Sequence, residues 1–202
     1  MVSTQLAGRD IVDPRVLGAM GRVPRERFVA PDQIEHAYDD RPLALGAGAT
    51  ISQPYIVALM SQLADIRPGA RVLDVGTGSG YQAAIAAELG GVVFGVEIDE
   101  GLAAAARERL QTLGYAIAVR TGDGHDGWPE HAPFDVILVA AATPTIPPAL
   151  VDQLAVGGRM VIPVGTFGRT QMLTVVSRTE ATITTRKVTP VAFVPLVQGT
   201  AR

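Results

Sequence analysis

Short apolar runs alternate with amphipathic or alanine-rich segments along most of the chain after residue 70. The apolar runs predict strands at residues 71–75, 92–97, 117–121, 135–140 and 159–164. The segments between them predict helices at residues 81–89, 100–113 and 148–154. Near-continuous apolar strands separated by helices are typical of a parallel sheet that is covered on both faces. The pattern therefore predicts an α/β protein with a mostly parallel, twisted sheet and helices on both of its faces.

The end of the chain departs from this alternation, because apolar runs follow one another there without helices between them. Residues 172–177 predict a sixth strand, and residues 183–194 predict one or two more. Consecutive strands joined by short connections pair in the antiparallel sense. We therefore expect an antiparallel edge on the C-terminal side of the sheet.

The N-terminal part predicts a different kind of structure. Asp13 suits an N-cap and Pro14 the first helical position, which predicts a short helix at residues 13–20. Residues 21–50 are rich in Pro, Gly and charge. They predict an irregular N-terminal cap with short helices, packed against the larger part of the protein.

Composition favours a single domain. The chain has 202 residues, of which 48% are hydrophobic. This is enough apolar material for one sizeable core and too little length for two. We expect one domain over residues 1–202, in which residues 1–52 form a cap and loop and residues 53–202 form the α/β core.

Several absences in the sequence narrow its cellular context. No apolar run reaches the length of about 18 residues that a membrane span requires. The first residues do not show a basic segment followed by an apolar stretch, as a secretory signal would. There are no cysteines, which excludes disulfides, thiol catalysis and thiolate metal sites. We therefore expect a cytoplasmic protein.

Charge and histidine spacing argue against several classes of function. The formal net charge is −3, no cluster of Lys or Arg is present, and only 5% of residues are aromatic. A nucleic-acid partner is therefore not expected. His36, His125 and His131 are far apart without the spacing of metal ligands, so no metal is expected. Neither a Ser/His/Asp triad nor a nucleophile elbow is recognisable. Nothing specifies an oligomer, and a monomer is our expectation.

The strongest chemical signal lies where the first core strand meets the next helix. The sequence there is Leu-Asp-Val-Gly-Thr-Gly-Ser-Gly, at residues 73–80. A glycine-rich loop between a strand and a helix is the context in which nucleotides bind. Asp74 stands two positions before Gly76, where a carboxylate would repel a pyrophosphate and attract a cation. S-adenosylmethionine carries a sulfonium and an ammonium group, so this acidic loop favours it as the ligand.

Two further acidic residues follow predicted strands. Glu97 ends the second strand, about 20 residues after Gly76, where a carboxylate can accept hydrogen bonds from ribose hydroxyls. Asp123 stands between Gly122 and Gly124 after the third strand, near the expected position of an adenine. Each residue alone could belong to a turn or to the surface. Their order and spacing together favour a ligand site at the carboxyl edge of the sheet.

Ser52 has two interpretations that remain open at this point. It precedes a helical pattern that starts near Pro54, so it is a candidate N-cap residue. It could also contact a ligand, because the N-terminus of a helix offers backbone donors to an anion. The two roles are compatible with each other.

These motifs resemble those of the protein-L-isoaspartate O-methyltransferase family, whose members repair damaged aspartyl and asparaginyl sites. The resemblance is carried by residues 9–29, 49–55, 73–84, 122–129 and 147–165. It extends in order over nearly the whole chain. The Thr-Ile-Ser-Gln-Pro segment at residues 50–54 is its specific part, because most methyltransferases outside the family share only the glycine loop.

The resemblance implies a Rossmann-like methyltransferase fold and an activity. The enzyme would methylate the free α-carboxylate of L-isoaspartyl residues in proteins and peptides, and D-aspartyl residues more weakly. Ser52 would be the active-site serine and would aim that carboxylate. S-adenosylmethionine, released as S-adenosylhomocysteine, would be bound by Thr50, Ile51, Asp74, Gly76, Thr77, Gly78, Glu97, Ile98, Asp123 and Gly124. The substrate would contact Ala49, Ser52, Pro54 and Val197.

One departure from the family pattern keeps a second function open. Family members commonly have Thr after Val-Pro-Leu, whereas this chain has Val197, which lacks the hydroxyl. A related carboxyl methyltransferase that acts on a specific aspartate of a peptide would have a similar sequence. The same fold could also support methyl transfer to a different acceptor, a catalytically silent binding module or a nicotinamide dehydrogenase. The Ser52 segment argues against a different acceptor. The intact glycine loop argues against a silent binding module, and Asp74 argues against a dehydrogenase.

Overall fold

The computed structural model describes residues 1–46 and 48–199. In this part of the chain the strands are β1 (Leu43–Gly46), β2 (Ala49–Ile51), β3 (Arg71–Val75), β4 (Val92–Glu97), β5 (Ala118–Thr121), β6 (Phe134–Val139), β7 (Leu154–Val164), β8 (Gln171–Arg178) and β9 (Ile183–Val191). The α-helices are α1 (Pro14–Arg22), α2 (Pro54–Ala64), α3 (Tyr81–Glu88), α4 (Glu100–Thr112) and α5 (Pro148–Asp152). Residue 47 of the predicted cap and residues 200–202 of the predicted domain lie outside the described residues.

The central sheet has the strand order β5-β4-β3-β6-β7-β8-β9. The pairs from β5 to β7 are parallel, and β8 and β9 are added in the antiparallel sense. The predicted α/β fold, with its mostly parallel sheet and antiparallel C-terminal edge, is confirmed. The strand order reverses at β3, so the loops after β3 and β6 diverge and leave a crevice at the carboxyl edge of the sheet.

Two strands differ from the sequence-based prediction in length. Strand β7 begins at Leu154 and runs through Gly157, which has a φ of +84°. The glycines at residues 157–158 predicted a break before the strand. Strand β7 instead continues through them, and its register against β6 shifts there. At the C-terminal end, residues 183–194 were predicted to hold one or two strands, and they contain one, β9, which ends at Val191.

The segment after β9 crosses the carboxyl edge of the sheet. Its Val194 carbonyl accepts a hydrogen bond from the Ala142 N–H at 2.8 Å, and the Leu196 N–H donates to the Ala142 carbonyl at 2.8 Å. Two backbone hydrogen bonds therefore fix residues 194–197 beside the loop that follows β6. This placement brings residues 194–197 to the same edge as the glycine loop.

The core has two layers, one on each face of the sheet. Successive residues of a strand point to opposite faces, so Val72 packs with Met60 and Ile85 on one face, while Leu73 packs with Leu150 on the other. Burial on both faces explains why the strands are apolar throughout. Within the described ranges, no helix combines the length and the apolar composition needed to cross a bilayer.

The N-terminal cap packs into the first of these layers. It contains α1, 3₁₀ turns at Arg25–Phe28 and Pro31–His36, and the β1–β2 hairpin, which the sequence did not predict. The predicted start of α1 is confirmed, because the Asp13 carboxylate accepts a hydrogen bond from the Arg15 N–H at 2.8 Å.

The predicted role of Ser52 as a helix N-cap is wrong. Helix α2 has Gln53 as its N-cap residue, and the Gln53 side chain makes no capping hydrogen bond. The Asp40 carboxylate instead accepts a hydrogen bond from the Tyr55 N–H at 3.1 Å and one from the Gln53 amide at 2.8 Å. A side chain distant in sequence therefore caps α2, and the Ser52 hydroxyl is not used for this purpose.

Candidate active site

The loop between β3 and α3 has a conformation that its glycines make available. Gly76 and Gly78 have φ values of +77° and +51°, in the left-handed region that glycine tolerates best. The Gly76 N–H donates to the Val96 carbonyl at 2.8 Å, which ties the loop to the neighbouring strand β4. The loop is thus held by backbone contacts and presents its glycines to the crevice.

Thr77 points away from the crevice. Its hydroxyl donates to the Asp74 carbonyl at 3.1 Å, and its side chain is buried. A Cβ atom on Gly95 would lie only 2.6 Å from the Thr77 hydroxyl oxygen, so Gly95 leaves the space that Thr77 fills. Thr77 therefore supports the loop from below.

Asp74 is fully buried behind the loop. Neither of its carboxylate oxygens has a hydrogen-bond partner among the described residues. Burial raises the pKa of Asp74 to about 7 against the lowering effect of the nearby Thr77 side chain, and the charge of Glu97 adds to the rise. A buried carboxylate without partners is a costly arrangement, and a cationic ligand bound against the loop would reduce that cost.

Glu97 joins the end of β4 to the glycine loop. One carboxylate oxygen accepts a hydrogen bond from the Gly78 N–H at 2.8 Å, and the other accepts one from the Asp99 N–H at 3.1 Å. Each carboxylate oxygen has a second lone pair, so both oxygens can accept further hydrogen bonds. Glu97 can therefore hold the loop and bind a ligand hydroxyl at the same time.

Asp123 is held by contacts within the protein. Its carboxylate accepts hydrogen bonds from the His125 N–H at 2.8 Å and from the Gly199 N–H at 2.9 Å. Burial acts to raise the pKa of Asp123, but the hydrogen bonds from Gly199 and His125 outweigh it and hold that pKa below its ordinary value. The carboxylate is therefore ionised at neutral pH.

Gly124 allows the end of the chain to approach the sheet. A Cβ atom at this position would lie 2.6 Å from Val75 and 2.9 Å from Leu196. Both distances are shorter than real contacts allow, so any side chain here would displace residues 194–197. The glycine after Asp123 is thus required by packing.

A cleft of about 310 Å³ lies along this edge of the sheet. Of the residues predicted from the sequence to form the site, its walls contain Ala49, Thr50, Gly76, Gly78, Glu97, Ile98, Gly124 and Val197. The wall residues that were not predicted are Gly48, Val96, Asp99, Leu102, Ala140, Ala141, Val194, Pro195 and Leu196. The position of Ala140 and Ala141 at the end of β6 was a usable signal, since ligands bind at the carboxyl ends of such strands.

Ser52 lies between two further cavities. A cavity of about 30 Å³ joins Ile51 and Ser52 to the glycine loop, including Gly76 and Thr77. On its other side Ser52 lines an open groove of about 600 Å³. Its hydroxyl makes no hydrogen bond within the described residues, while its carbonyl accepts one from Arg25 at 2.8 Å.

The groove beside Ser52 has polar and apolar walls. Gln53, Ile56, Arg169, Thr170 and Phe193 contribute to it, together with Thr50, which also lines the cleft of about 310 Å³. The segment Ala49–Ser52 therefore separates this groove from that cleft.

Three predicted substrate residues lie outside the groove beside Ser52. Pro54 is buried at the start of α2 and lines none of these cavities. Ala49 and Val197 line the cleft of about 310 Å³ and not the groove. Within the described part of the chain, no cluster of three or more His, Asp or Glu side chains is arranged to hold a metal ion.

Known proteins are similar to this chain over nearly its whole length. Residues 1–201 match the model of the family described as protein-L-isoaspartate(D-aspartate) O-methyltransferase. A protein-L-isoaspartate O-methyltransferase 2 of Polaromonas sp. is 56% identical over 94% of this chain and 90% of its own length. A protein-L-isoaspartate O-methyltransferase of Gloeobacter violaceus is 54% identical over 98% of this chain and 97% of its own length.

Solved structures agree with these sequence matches. A crystal structure from Plasmodium falciparum, described as a putative protein-L-isoaspartate O-methyltransferase in complex with S-adenosyl-L-homocysteine, superposes with a TM-score of 0.85 and 27% identity. The match covers 98% of this chain and 97% of that one. A second structure, described as a protein-L-isoaspartate O-methyltransferase, has a TM-score of 0.84 and 28% identity, over 94% of this chain and 63% of its own.

Proposed function

This chain belongs to the protein-L-isoaspartate(D-aspartate) O-methyltransferase family, and we propose that Ser52 and the groove beside it bind the isoaspartyl segment of its substrates. The enzyme transfers the methyl group of S-adenosylmethionine to the free α-carboxylate of L-isoaspartyl residues in damaged proteins and peptides. The assignment of the site rests on one observation above all. The Ser52 hydroxyl, without a hydrogen-bond partner among the described residues, lies where the groove meets the glycine loop.

The cofactor belongs in the cleft of about 310 Å³. The residues there fit S-adenosylmethionine, because a buried carboxylate without partners, Asp74, lies behind a loop that exposes backbone at Gly76 and Gly78. Glu97 would accept hydrogen bonds from the ribose hydroxyls, and Asp123 with Gly124 would lie at the adenine. The cofactor supplies a methyl group on a sulfonium, which is an activated donor, and the product is S-adenosylhomocysteine.

Ser52 would orient the substrate carboxylate. Its hydroxyl donates a hydrogen bond to one carboxylate oxygen and so directs the other oxygen towards the cleft. A carboxylate is ionised at neutral pH, so the protein does not have to remove a proton from it. The role of the chain is then to place the acceptor and to exclude water around it.

The groove beside Ser52 would hold the residues that flank the isoaspartyl site. Its Phe193 wall is held in place by Gln171, whose buried amide accepts a hydrogen bond from the Phe193 N–H at 2.6 Å and donates one to the Phe193 carbonyl at 3.0 Å. Ile56 supplies an apolar surface, while Arg169 and Thr170 supply polar groups. A groove of about 600 Å³ with this mixed character suits a short extended peptide.

The proposal is tested with two peptides that differ only in one linkage. One carries L-isoaspartate and the other carries L-aspartate at the same position, and methyl transfer from labelled S-adenosylmethionine is measured. Transfer to the isoaspartyl peptide alone supports the proposal. Transfer to neither peptide, with cofactor binding intact, would contradict it and favour a carboxyl methyltransferase for a specific aspartate of another peptide. In that case Val197 is the first position to change to Thr.

Further properties follow as parts of the same proposal. We propose that residues 1–202 work as one methyltransferase domain, because Leu6 and Phe28 of the cap share a hydrophobic cluster with Val72 and Leu138 of the sheet. A monomer, weaker activity on D-aspartyl peptides and a cytoplasmic location remain predictions. Analytical ultracentrifugation would test the monomer, and cell fractionation would test the location. Methyl transfer to a D-aspartyl peptide would test the weaker activity.

A further inference from the structure

Arg25 is the largest fully buried side chain among the described residues. It lies in the 3₁₀ turn Arg25–Phe28 of the cap, and its guanidinium reaches the active-site loop. Nε donates a hydrogen bond to the Ala37 carbonyl at 2.7 Å, and Nη2 donates one to the Ser52 carbonyl at 2.8 Å. Nη1 has no hydrogen-bond partner among the described residues. The backbone of the proposed catalytic serine is therefore anchored by a buried cation.

This cation lacks an ion-pair partner in the described part of the chain, where no carboxylate oxygen lies within 4.0 Å of it. Asp40 contributes to the electrostatic field at Arg25. The Asp40 carboxylate, however, is paired with Arg9 at 2.9 Å and accepts the Tyr55 N–H. The Tyr81 ring lies 4.8 Å from the centre of the guanidinium and offers it an aromatic face.

An unpaired buried charge costs free energy. Burial lowers the pKa of Arg25, which reflects the penalty for keeping the charge away from water. Arginine nevertheless remains protonated in proteins, so a positive charge lies behind the Ser52 loop throughout the reaction. Hydrogen bonds to two carbonyls offset part of the penalty, but they do not neutralise the charge.

We propose that Arg25 is a positioning residue that makes the Ser52 site selective for an acceptor carrying a negative charge. It fixes the Ser52 carbonyl and thereby the direction of the hydroxyl. It also supplies the positive potential that an arriving carboxylate would balance. This inference rests on the proposed function of Ser52. An isoaspartyl residue formed from asparagine carries a free α-carboxylate where the undamaged residue has only neutral amides, so Arg25 would favour the damaged site over the neutral one.

A purely structural role for Arg25 makes a different prediction. If Arg25 only holds the loop, its replacement should weaken binding of charged and neutral peptides by the same factor. If its charge matters, the preference for the charged peptide should fall. The informative quantity is therefore a ratio of two affinities and not the activity alone.

The experiment compares an L-isoaspartyl peptide with the same peptide carrying an α-carboxamide in place of the α-carboxylate. Dissociation constants are measured by calorimetry in the presence of S-adenosylhomocysteine, for wild type, Arg25→Met and Arg25→Lys. We expect Arg25→Met to reduce the preference for the carboxylate by about fivefold, because a buried charge behind the loop acts on the carboxylate through protein of low dielectric constant and not by direct contact. We expect Arg25→Lys to retain most of that preference, while cofactor affinity stays unchanged in both variants.

Arg15→Met provides a matched control. Arg15 belongs to the same cap and also anchors a backbone carbonyl, that of Ile66, at 2.8 Å. It lies at the opposite end of α2 from Ser52. We expect Arg15→Met to lower the thermal stability without changing the ratio of the two peptide affinities.

Several outcomes would overturn the inference. A folded Arg25→Met protein that keeps the wild-type ratio within about twofold would reduce Arg25 to a structural role. If circular dichroism shows that Arg25→Met is unfolded, Arg25→Gln replaces it, because its amide nitrogen stands at the position of Nε and can still donate to the Ala37 carbonyl without carrying charge. If the wild-type protein neither binds nor methylates either peptide, the proposed function is contradicted. The role of Arg25 is then contradicted as well.

Discussion

The cofactor cleft and the Ser52 loop are built in different ways. The cleft uses the backbone of the glycine loop and a carboxylate, Glu97, at the end of the adjacent strand. The Ser52 loop is held by Arg25, 27 residues before it, while Asp40 caps the helix that follows, 15 residues before Tyr55. A binding motif can thus be local in sequence while the acceptor site beside it depends on distant side chains. Substitutions in the two regions should therefore have separable effects.

Glu97→Ala should have the largest effect and should be confined to the cofactor side. It removes the proposed ribose contacts and leaves the Gly78 N–H without its partner. We expect cofactor affinity to fall by about 100-fold, the scale of two lost hydrogen bonds to a charged acceptor. Calorimetric titration with S-adenosylmethionine measures this change, and Glu100→Ala, at an exposed position of α4, is the control. An affinity within about twofold of wild type would remove the ribose assignment.

Ser52→Ala should affect the substrate side instead. Loss of a hydrogen bond to a charged carboxylate should lower kcat/KM for an isoaspartyl peptide by about 30-fold. Cofactor affinity should remain at the wild-type value, because the Ser52 hydroxyl does not hold the glycine loop. Steady-state kinetics and calorimetry together test the separation. If cofactor binding were lost as well, the two regions would not be independent.

The buried carboxylate of Asp74 gives the cofactor side a dependence on pH. Its pKa is raised to about 7 in the cofactor-free protein, and a cationic ligand favours the ionised form. Cofactor affinity should therefore rise by up to about fivefold between pH 6 and pH 7. Calorimetry across this range measures the change, and Asp74→Asn should show a flat profile. An equally steep profile in Asp74→Asn would assign the effect to another group.

The same carboxylate should influence stability with a definite sign. The folded pKa of about 7 lies above the ordinary value of 3.8, so the folded protein binds the proton more tightly than the unfolded chain does. The resulting stabilisation is fully present below pH 3.8 and is lost as the pH rises through about 7. Comparing the thermal unfolding of wild type with that of Asp74→Asn over this range isolates the contribution.

Asp40→Ala should have the smallest effect. It removes a helix cap that is distant in sequence, which can be compared with removal of a local cap. Loss of the cap on α2 should lower the free energy of unfolding by about 1 kcal/mol. It should also raise the KM for the peptide, because the capped turn follows Ser52 directly. Asp13→Ala removes the local cap of α1, away from the site, and should reduce stability by a similar amount at unchanged KM. Equal KM values in the two variants would show that Asp40 serves stability alone.

Much of the cofactor side could be predicted from the sequence. The glycine loop, Glu97 and Gly124 lie in or beside the cleft, as their positions after predicted strands implied. The local roles of Thr77 and Asp123 were not predictable, because both depend on side-chain direction. Thr77 turns towards the space above Gly95, and Asp123 binds the Gly199 N–H near the other end of the chain. A motif indicates which residues are close together but not which way each side chain points.

The substrate side shows where sequence reasoning reached its limit. The pattern before α2 made Ser52 a candidate N-cap residue, as one of two interpretations, but in the structure the Asp40 carboxylate caps the helix. The family resemblance included the segment with Arg25, yet it carried no indication that this side chain is buried against the Ser52 carbonyl. The groove wall at Phe193 likewise depends on Gln171, on the preceding strand. None of these contacts follows a helical or strand period, so periodicity could not reveal them.

By itself the sequence determined the alternation of strands and helices, the position of the glycine loop and the acidic residues at the strand ends. It could do so because these features depend on residues that are close along the chain. Only the tertiary structure decided that the Ser52 hydroxyl remains available, that a buried arginine lies behind it and that residues 194–197 form a wall of the cleft. Those arrangements arise where the cap and the segment after β9 pack onto the sheet. The side chains that meet there are far apart in sequence, so only the folded chain brings them together.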